Sequence, residues 1–126
     1  MSNNKIIVEL EELSNKLPSL IVQHSARIDD ISAKMDELQK AGLIYASTHW
    51  REGKYFYLVY PVKAGEKRRR DYIGTDKEKI EAAQAAIERG KTFDAFAAQL
   101  KQYEALLSES RRVLKYLVDD MTRPLR

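Results

Sequence analysis

Apolar side chains recur at alternating spacings of three and four residues at both ends of the chain. Between positions 7 and 38, eight of the ten positions with this spacing are apolar, and between positions 93 and 121 eight of nine are apolar or aromatic. This spacing is typical of the a/d seam of a heptad repeat. It predicts one helix over residues 5–41 and another over residues 92–121. Because these helices flank one insertion, we expect them to fold back on each other as an antiparallel hairpin, a coiled-coil stem.

Two residues interrupt the first of these helices. Pro18 removes an amide donor and clashes with the preceding turn. Either the helix kinks there, or a second helix begins at Ser19 after a short N-terminal one. Gly42 follows Ala41 and is a typical C-terminal stop.

The middle of the chain changes to a period of two. Aromatic and β-branched residues are concentrated between Lys54 and Tyr60, and short turns at Arg51–Gly53 and Lys63–Glu66 lie on either side. This pattern predicts a three-stranded antiparallel sheet within residues 43–74. The expected strands cover 43–50, 54–62 and 67–73.

Both faces of the predicted central strand are apolar or aromatic, so we expect one face to pack on a helix and the other to be partly exposed. The pattern does not say which face is covered: one face carries Phe56, Leu58, Tyr60 and Val62. The second carries Tyr55, Tyr57, Val59 and Pro61.

A further helix is predicted over residues 75–90. Thr75 and Glu78 have the spacing of a capping box, and Asp76 adds negative charge at the helix N-terminus. Its expected sheet-facing side carries Ile80, Ala83 and Ile87, and Gly90 is its expected end. Together these elements predict an α+β fold: a heptad-helix hairpin with an inserted three-stranded antiparallel sheet plus one helix, in a single domain over residues 1–126.

Charge is unevenly distributed along the chain. The net charge is only +3, but residues 43–74 carry seven Lys/Arg against three Asp/Glu. A basic sheet segment is typical of a nucleic-acid binder, although a protein that binds acidic partners would look similar. The chain has no cysteine, which excludes disulfides and thiolate metal sites. The N-terminus lacks a signal-peptide pattern, and the longest apolar run is too short to span a bilayer. We expect a cytoplasmic protein with no membrane association.

The motifs of common enzymes are missing from the sequence. There is no phosphate-binding loop, nucleophile elbow, dinucleotide fingerprint or suitably placed carboxylate pair. His49 has no second histidine or carboxylate cluster near it in sequence, so it does not predict a metal site. We therefore expect neither catalysis nor a cofactor nor a bound metal.

The run Lys67-Arg68-Arg69-Arg70 is the main candidate for function. These cations can neutralise phosphates or read guanine edges, and nearby aromatic side chains can stack on bases. The aromatic candidates are Trp50, Tyr55, Tyr57, Tyr60 and Tyr72. The alternative is a solvated edge strand whose arginines discourage aggregation and whose aromatic rings are core.

Residues 53–87, GKYFYLVYPVKAGEKRRRDYIGTDKEKIEAAQAAI, resemble the arm-binding N-terminal domain of phage-type tyrosine recombinases. That family shows a glycine-led aromatic strand, a Gly-containing turn followed by basic residues, and a Thr-x-x-Glu helix start. A similar pattern occurs in small plasmid and phage proteins. The resemblance implies that Lys54, Tyr55, Tyr57, Arg68 and Arg70 lie at DNA. No recombinase catalytic domain follows and heptad helices flank the sheet, which implies an accessory or regulatory binder.

The stem is predicted to be an association surface as well. Two helices alone leave apolar surface uncovered, so we expect a homodimer or a larger helical bundle. His24 is expected to form a polar layer that fixes register, level with Leu107 and Ser110. The competing class of function is a coiled-coil adaptor that binds a protein partner and no nucleic acid. The expected seam residues are Ile21, His24, Ile28, Ile31, Met35, Leu100, Tyr103, Leu107, Leu114 and Leu117.

Overall fold

The computed structural model describes residues 2–62 and 65–125, and it confirms the α+β class. Along the chain, a three-stranded antiparallel sheet lies between its two helices. The elements are α1 (Ser2–Ala41), β1 (Ser47–Arg51), β2 (Tyr55–Val59), β3 (Arg70–Gly74) and α2 (Lys77–Thr122). Of the predicted turn at Lys63–Glu66, Lys63 and Ala64 lie outside the described residues.

Helix α1 continues through Pro18, so the prediction of a second helix beginning at Ser19 is wrong. The stop at Gly42 is confirmed. Gly42 has a φ of 104°, and its amide donates to the carbonyls of Leu38 and Gln39 at 3.1 and 3.2 Å. Glycine adopts this left-handed conformation at little cost, which lets the chain leave the helix there.

Helix α2 is one continuous helix, and the predicted division into helices over 75–90 and 92–121 is wrong. Gly90 is helical and buried, and α2 continues past it. A Cβ at Gly90 would lie 3.1 Å from the carbonyl oxygen of Ile44 and 3.2 Å from the Tyr45 ring. The glycine is therefore explained by a close approach of another segment, which the sequence pattern alone does not separate from a helix stop.

The start of α2 also differs from the prediction. Asp76, and not Thr75, is the residue that caps the helix: its carboxylate accepts a hydrogen bond from the amide of Glu78 at 3.1 Å. The carbonyl of Asp76 accepts the first helical bond, from Ile80, at 3.0 Å. A carboxylate cap satisfies an otherwise orphaned amide and also opposes the positive end of the helix dipole.

The three strands pair in the order β1-β2-β3 and are shorter than predicted. Residues 43–46 and 67–69 are not strands, and in the first of these segments the amide of Ile44 bonds to α2, at the Ala86 carbonyl, instead of to a strand. The predicted turn after β1 is confirmed: Lys54 donates to the carbonyl of Arg51 at 3.2 Å, and Glu52 and Gly53 both have positive φ. A bulge lies opposite Phe56 and Tyr57, where β3 contains one extra residue, Ile73.

Contacts divide the chain into two compact units, and the prediction of a single domain stays a prediction. The stem unit is Met1–Ala33 with Ala98–Arg126, and the sheet unit is Lys34–Ala97. The expectation that one face of β2 packs on a helix is confirmed, and the structure identifies it as the face of Phe56 and Leu58, which are 0% and 2% exposed. They pack against one side of α2, formed by Ile80, Ala83 and Ile87.

Residues 42–46 join α1 to the sheet and lie against α2 inside the sheet unit. The amide of Ile44 donates to the Ala86 carbonyl at 3.1 Å. The Arg89 guanidinium donates to the carbonyls of Gly42 and Ala41 at 2.8 and 3.2 Å. Arg89 thereby satisfies carbonyls that the end of α1 would otherwise leave without partners.

In the stem unit the helices run antiparallel. The His24 and Tyr103 rings meet edge to face, with centroids 5.5 Å apart. His24 was expected to lie level with Leu107 and Ser110, on the assumption that the hairpin has its tip near Gly42 and Thr92. Because α2 continues through Thr92, Thr92 is not at the tip and the predicted alignment is wrong. None of the helices in the described part of the chain is long and apolar enough to cross a membrane.

Burial of the predicted seam decreases along the stem unit towards the N-terminal end of α1 and the C-terminal end of α2. Ile31 is fully buried, and five residues are half-buried: His24, Ile28, Leu100, Tyr103 and Leu107. Met35, in the sheet unit, is half-buried as well. Three predicted seam residues are exposed: Ile21, Leu114 and Leu117.

Replacing Gly90 with Leu should lower the free energy of unfolding by about 1–3 kcal/mol, because the added side chain meets the Ile44 carbonyl and the Tyr45 ring. Urea denaturation followed by far-UV circular dichroism measures the change. Ala82→Leu, at an exposed position of the same helix, is the matched control and should be close to neutral. Equal stability of the two variants would contradict the close approach.

Replacing Arg89 with Ala should cost about 1–3 kcal/mol of stability, because two carbonyls at the end of α1 lose a charged donor. Arg89→Lys retains the charge but not the forked geometry, and should be intermediate. Lys91→Ala, which removes only an exposed ion pair with Glu88, should change little in the same denaturation experiment. A loss at Lys91 as large as that at Arg89 would contradict the capping role.

Candidate nucleic-acid interface

One face of the sheet has no helix packed on it in the sheet unit, and we call it the outer sheet face. Strand register identifies its members, because directly paired residues point to the same side of an antiparallel sheet. The face opposite carries Phe56 and Leu58 and packs on α2. The outer sheet face comprises Ser47, His49, Arg51, Tyr55, Tyr57, Val59, Arg70 and Tyr72.

Three rings form a row across the strands of this face. Tyr57 pairs with His49 on β1 and with Tyr72 on β3. The ring centroids of His49 and Tyr57 are 6.5 Å apart, and those of Tyr57 and Tyr72 are 4.9 Å apart. Tyr57 is half-buried between its neighbours, whereas Tyr72 is 56% exposed. The row presents aromatic surface to solvent on a strand scaffold that fixes the spacing of the rings.

Cationic groups lie on both sides of the ring row. Arg51 pairs with Tyr55, and Arg70 pairs with Val59. The Lys54 ammonium lies 5.3 Å from the centre of the Tyr55 ring, within range of a cation–π contact. Within residues 2–62 and 65–125, no carboxylate forms an ion pair with Arg51, Lys54 or Arg70. These cations are therefore available to an anionic ligand.

A depression of about 380 Å³ opens on this face beside the turn after β1. Glu52 is its single acidic member and occupies the turn itself, with a φ of 54°. The positive φ turns the chain sharply and brings Arg51 and Tyr55 opposite each other. The depression is lined by Arg51, Glu52, Tyr55, Tyr57 and Tyr72.

The predicted basic run does not act as one surface. Only Arg70 belongs to a strand and lies on the outer sheet face. Arg69 lies on the opposite side, where it forms two hydrogen bonds to Asp71 at 3.0 and 3.3 Å and stacks 4.5 Å from the centre of the Tyr60 ring. The hydrogen bonds to Asp71 raise the pKa of Arg69. Its charge is thus already engaged within the fold.

The other two members of the run precede β3. Lys67 is exposed in that segment. Arg68 lines a groove of about 360 Å³ that includes Tyr45 and Asp94 and also Ser47 and Val59 at the margin of the outer sheet face. The strand prediction failed here because β3 begins at Arg70, so the alternation of Lys67 to Arg69 is not that of a strand.

Two aromatic candidates belong to the helix-covered side. Trp50 pairs with Phe56 and contacts its ring edge to face, with centroids 4.8 Å apart. Tyr60 packs at the margin of the core. By contrast, Tyr55, Tyr57 and Tyr72 lie on the outer sheet face, and Arg70 lies on the same face. The structure therefore brings together about half of the predicted site and separates the rest.

His49 and Arg51 belong to the outer sheet face but were not among the predicted site residues. The signal for them was present in the sequence. In STHWR, alternate positions hold Ser47, His49 and Arg51, and the Glu52-Gly53 turn fixes their register against β2. Pairing the two strands through that turn would have placed both residues beside Tyr55 and Tyr57.

The groove beside Arg68 has its own polar pair. The Tyr45 hydroxyl donates to the Asp94 carboxylate at 3.0 Å. The pKa of Tyr45 is raised, mainly by desolvation and to a smaller extent by that hydrogen bond. Within the described part of the chain, no group of three or more His, Asp or Glu side chains has the arrangement of a metal site. The polar pair joins the 42–46 segment to α2 and so has a structural explanation.

Comparisons with protein-family models, with curated proteins and with solved structures find no match to this chain. The resemblance to recombinase arm-binding domains stays a prediction. The geometry of the outer sheet face is accordingly the basis of the functional argument.

Proposed function

We propose that this protein binds nucleic acid, with DNA preferred to RNA, through the outer sheet face. The observation that carries the proposal is the row of His49, Tyr57 and Tyr72 between Arg51 and Arg70, whose charges have no carboxylate partner in residues 2–62 and 65–125. Guanidinium groups neutralise phosphates and release counterions, while exposed rings stack on bases. An open sheet face can present both at once.

The preference for DNA and an accessory or regulatory role in a mobile element rests on the resemblance of residues 53–87 to recombinase arm-binding domains. The cytoplasm is the compartment in which this function would be exercised. The rings favour unstacked bases over an intact duplex, because a stacked base pair offers no free face to an aromatic side chain.

A protein-interaction adaptor is the second candidate function. The observation that favours it is the exposure of apolar side chains on both helices of the stem unit, including Leu13 and Val113, at 62% and 51%. Absence of nucleic-acid binding at low salt would make this candidate the better one.

The first test is fluorescence anisotropy of labelled single-stranded and duplex DNA, titrated at several salt concentrations. Three available cations (Arg51, Lys54 and Arg70) predict a slope of log affinity against log salt of about −2 to −3. Single-stranded DNA should bind more tightly than the duplex. No binding at about 50 mM salt would refute the proposal.

The charge test compares two double variants with the same loss of charge. Arg51→Gln with Arg70→Gln should weaken binding and make the salt slope shallower by about 1.4–1.8, since two phosphate contacts are lost. Arg69→Gln with Arg112→Gln, one on the opposite side of the sheet and one in the stem unit, should retain most of the affinity. Equal losses from both pairs would mean that overall charge, and not the outer sheet face, governs binding.

The stacking test uses an exposed ring. Tyr72→Ala should reduce affinity for single-stranded DNA by roughly 5- to 100-fold, which corresponds to the loss of one base–aromatic contact of about 1–3 kcal/mol. The control is Tyr116→Ala, because Tyr116 is 66% exposed on α2 in the stem unit. If the two variants bind equally well, the rings do not stack on bases.

A further inference from the structure

The stem unit has one apolar flank and one polar flank. Taking Ile7 as heptad position a, the g positions of α1 are Ile6, Leu13 and Leu20. Taking Leu107 as position a, the corresponding g positions of α2 include Leu106 and Val113. An apolar g position beside an apolar a/d seam widens the stripe to the three-in-seven pattern of bundle helices.

The two g stripes lie on the same side of the hairpin, because g positions of antiparallel helices face each other. The contact of His24 with Tyr103 sets the alignment. Counting from it, Leu20 lies at nearly the height of Leu106, and Leu13 at nearly the height of Val113. The two helices thus build one continuous apolar flank.

The opposite flank is different in character. Its e positions are mostly polar: Glu11, Pro18 and Ser25 on α1, and Glu104 and Arg111 on α2, with Val118 as the one apolar exposed member. The g flank, with five apolar members, therefore carries more of the apolar surface of the stem unit than the e flank does.

Along this part of the stem, apart from the half-buried Leu107, the apolar a, d and g side chains are well exposed. Each is between 36% and 66% exposed, whereas Ile31 in the same unit is 0% exposed. The twelve side chains are Ile6, Ile7, Leu10, Leu13, Leu17, Leu20, Ile21, Leu106, Val113, Leu114, Leu117 and Met121.

The two serines within this surface add no free donor. The Ser14 hydroxyl donates to the Glu11 carbonyl at 3.0 Å, and the Ser110 hydroxyl donates to the Leu106 carbonyl at 2.8 Å. Both hydroxyls are satisfied within their own helices, so covering them would not bury an unsatisfied donor. The surface is apolar in effect, and we call it the stem face.

We propose that a second copy of this chain covers the stem face, g flank against g flank, so that the two stem units form a four-helix bundle. The proposal does not depend on nucleic-acid binding, because the stem face shares no residue with the outer sheet face. It also defines which side of the helices associates.

The exposed area is sufficient for a dimer. Complete burial of an aliphatic side chain removes about 60–120 Å² of apolar surface. Twelve half-exposed side chains then offer about 360–720 Å² per copy and about 720–1,440 Å² in the pair. Stable interfaces bury about 1,200–2,000 Å² in total, and the flanking polar residues and backbone add to the apolar share.

The shape and charge of the stem face favour a copy of itself over other occupants. The apolar g stripe has three members on α1 (Ile6, Leu13 and Leu20) and two on α2 (Leu106 and Val113), and it is bounded by Arg27 on α1 and by Gln99 and Asp120 on α2. A two-fold dimer uses the same surface on both copies, so this apolar stripe would be covered by its own counterpart. Nothing in it is suited to an acidic or basic partner.

A membrane surface is a poor occupant for a different reason. Interfacial helices carry Lys and Arg beside their apolar face and bind anionic lipid. Here the first turns of α1 carry Glu9, Glu11 and Glu12 with Lys5, and the end of α2, with Arg123 directly after it, carries Arg111, Arg112 and Lys115 together with Glu109, Asp119 and Asp120. The charges of the stem unit are therefore mixed rather than basic, and three of these cations already pair with carboxylates close in sequence.

Sedimentation equilibrium tests the proposal on the full chain. The native protein should have twice the monomer mass of 14.6 kDa at micromolar concentrations. Leu13→Glu with Leu20→Glu should be monomeric under the same conditions, because two copies would bury four carboxylates without partners. The matched control is Val8→Glu with Val22→Glu: these valines are 50% and 66% exposed on the same helix but lie at b positions, away from the stem face. The control should stay dimeric.

Three results would overturn the proposal. They are a monomeric native protein at about 100 μM, a dimeric Leu13→Glu/Leu20→Glu variant with native helicity by circular dichroism, or co-sedimentation of the native protein with phosphatidylserine vesicles in place of self-association. If the double variant loses helicity, Val113→Glu replaces it and carries the same expectation. Anisotropy with single-stranded DNA on the monomeric variant keeps the two proposals separate, since its outer sheet face is unaltered.

Discussion

The sheet unit depends on the close approach of residues 42–46 to α2. At this point the amide of Ile44 donates to the carbonyl of Ala86, and Gly90 leaves space for the Ile44 carbonyl and the Tyr45 ring. Two adjacent residues of α2 serve this approach: Gly90, which has no side chain, and Arg89, whose guanidinium caps α1. Because β1 follows directly from this segment, its position relative to α2 is fixed there. Burial of Phe56 and Leu58 against Ile80, Ala83 and Ile87 then completes the core.

Much of this fold could be predicted from the sequence, because the signals for it are local. The heptad spacing predicted long helices, and the alternation around Phe56 and Leu58 predicted the central strand, but it did not say which face is buried because both faces are apolar or aromatic. The Glu52-Gly53 turn predicted the first hairpin. Each of these depends on side-chain periodicity or on turn chemistry within a few residues, and tertiary contacts reinforce them.

The errors arose where a residue has two local explanations and a distant contact selects between them. A glycine in a helical pattern can mark an end or a close approach, and only the position of Ile44 identifies Gly90 as the second. Arg68 and Arg69 have the sequence pattern of strand residues, but both precede β3, and Arg69 instead contacts Asp71 and Tyr60. The candidate site was therefore predicted in its aromatic part, at Tyr55, Tyr57 and Tyr72, and predicted poorly in its cationic part. Arg51 was not predicted, because the prediction relied on the run of four basic residues and Arg51 is a single one.

Trp50 has a consequence for following how the molecule unfolds. It is the only tryptophan in the chain, it lies in the sheet unit, and it contacts Phe56 at the margin of the core on the side opposite the outer sheet face. Its emission should therefore report loss of the sheet core, whereas helical ellipticity is dominated by the two long helices. Coincident transitions by the two optical probes are the accepted sign of all-or-none unfolding. The native chain thus carries its own internal reporter of whether its two compact units melt as one cooperative body.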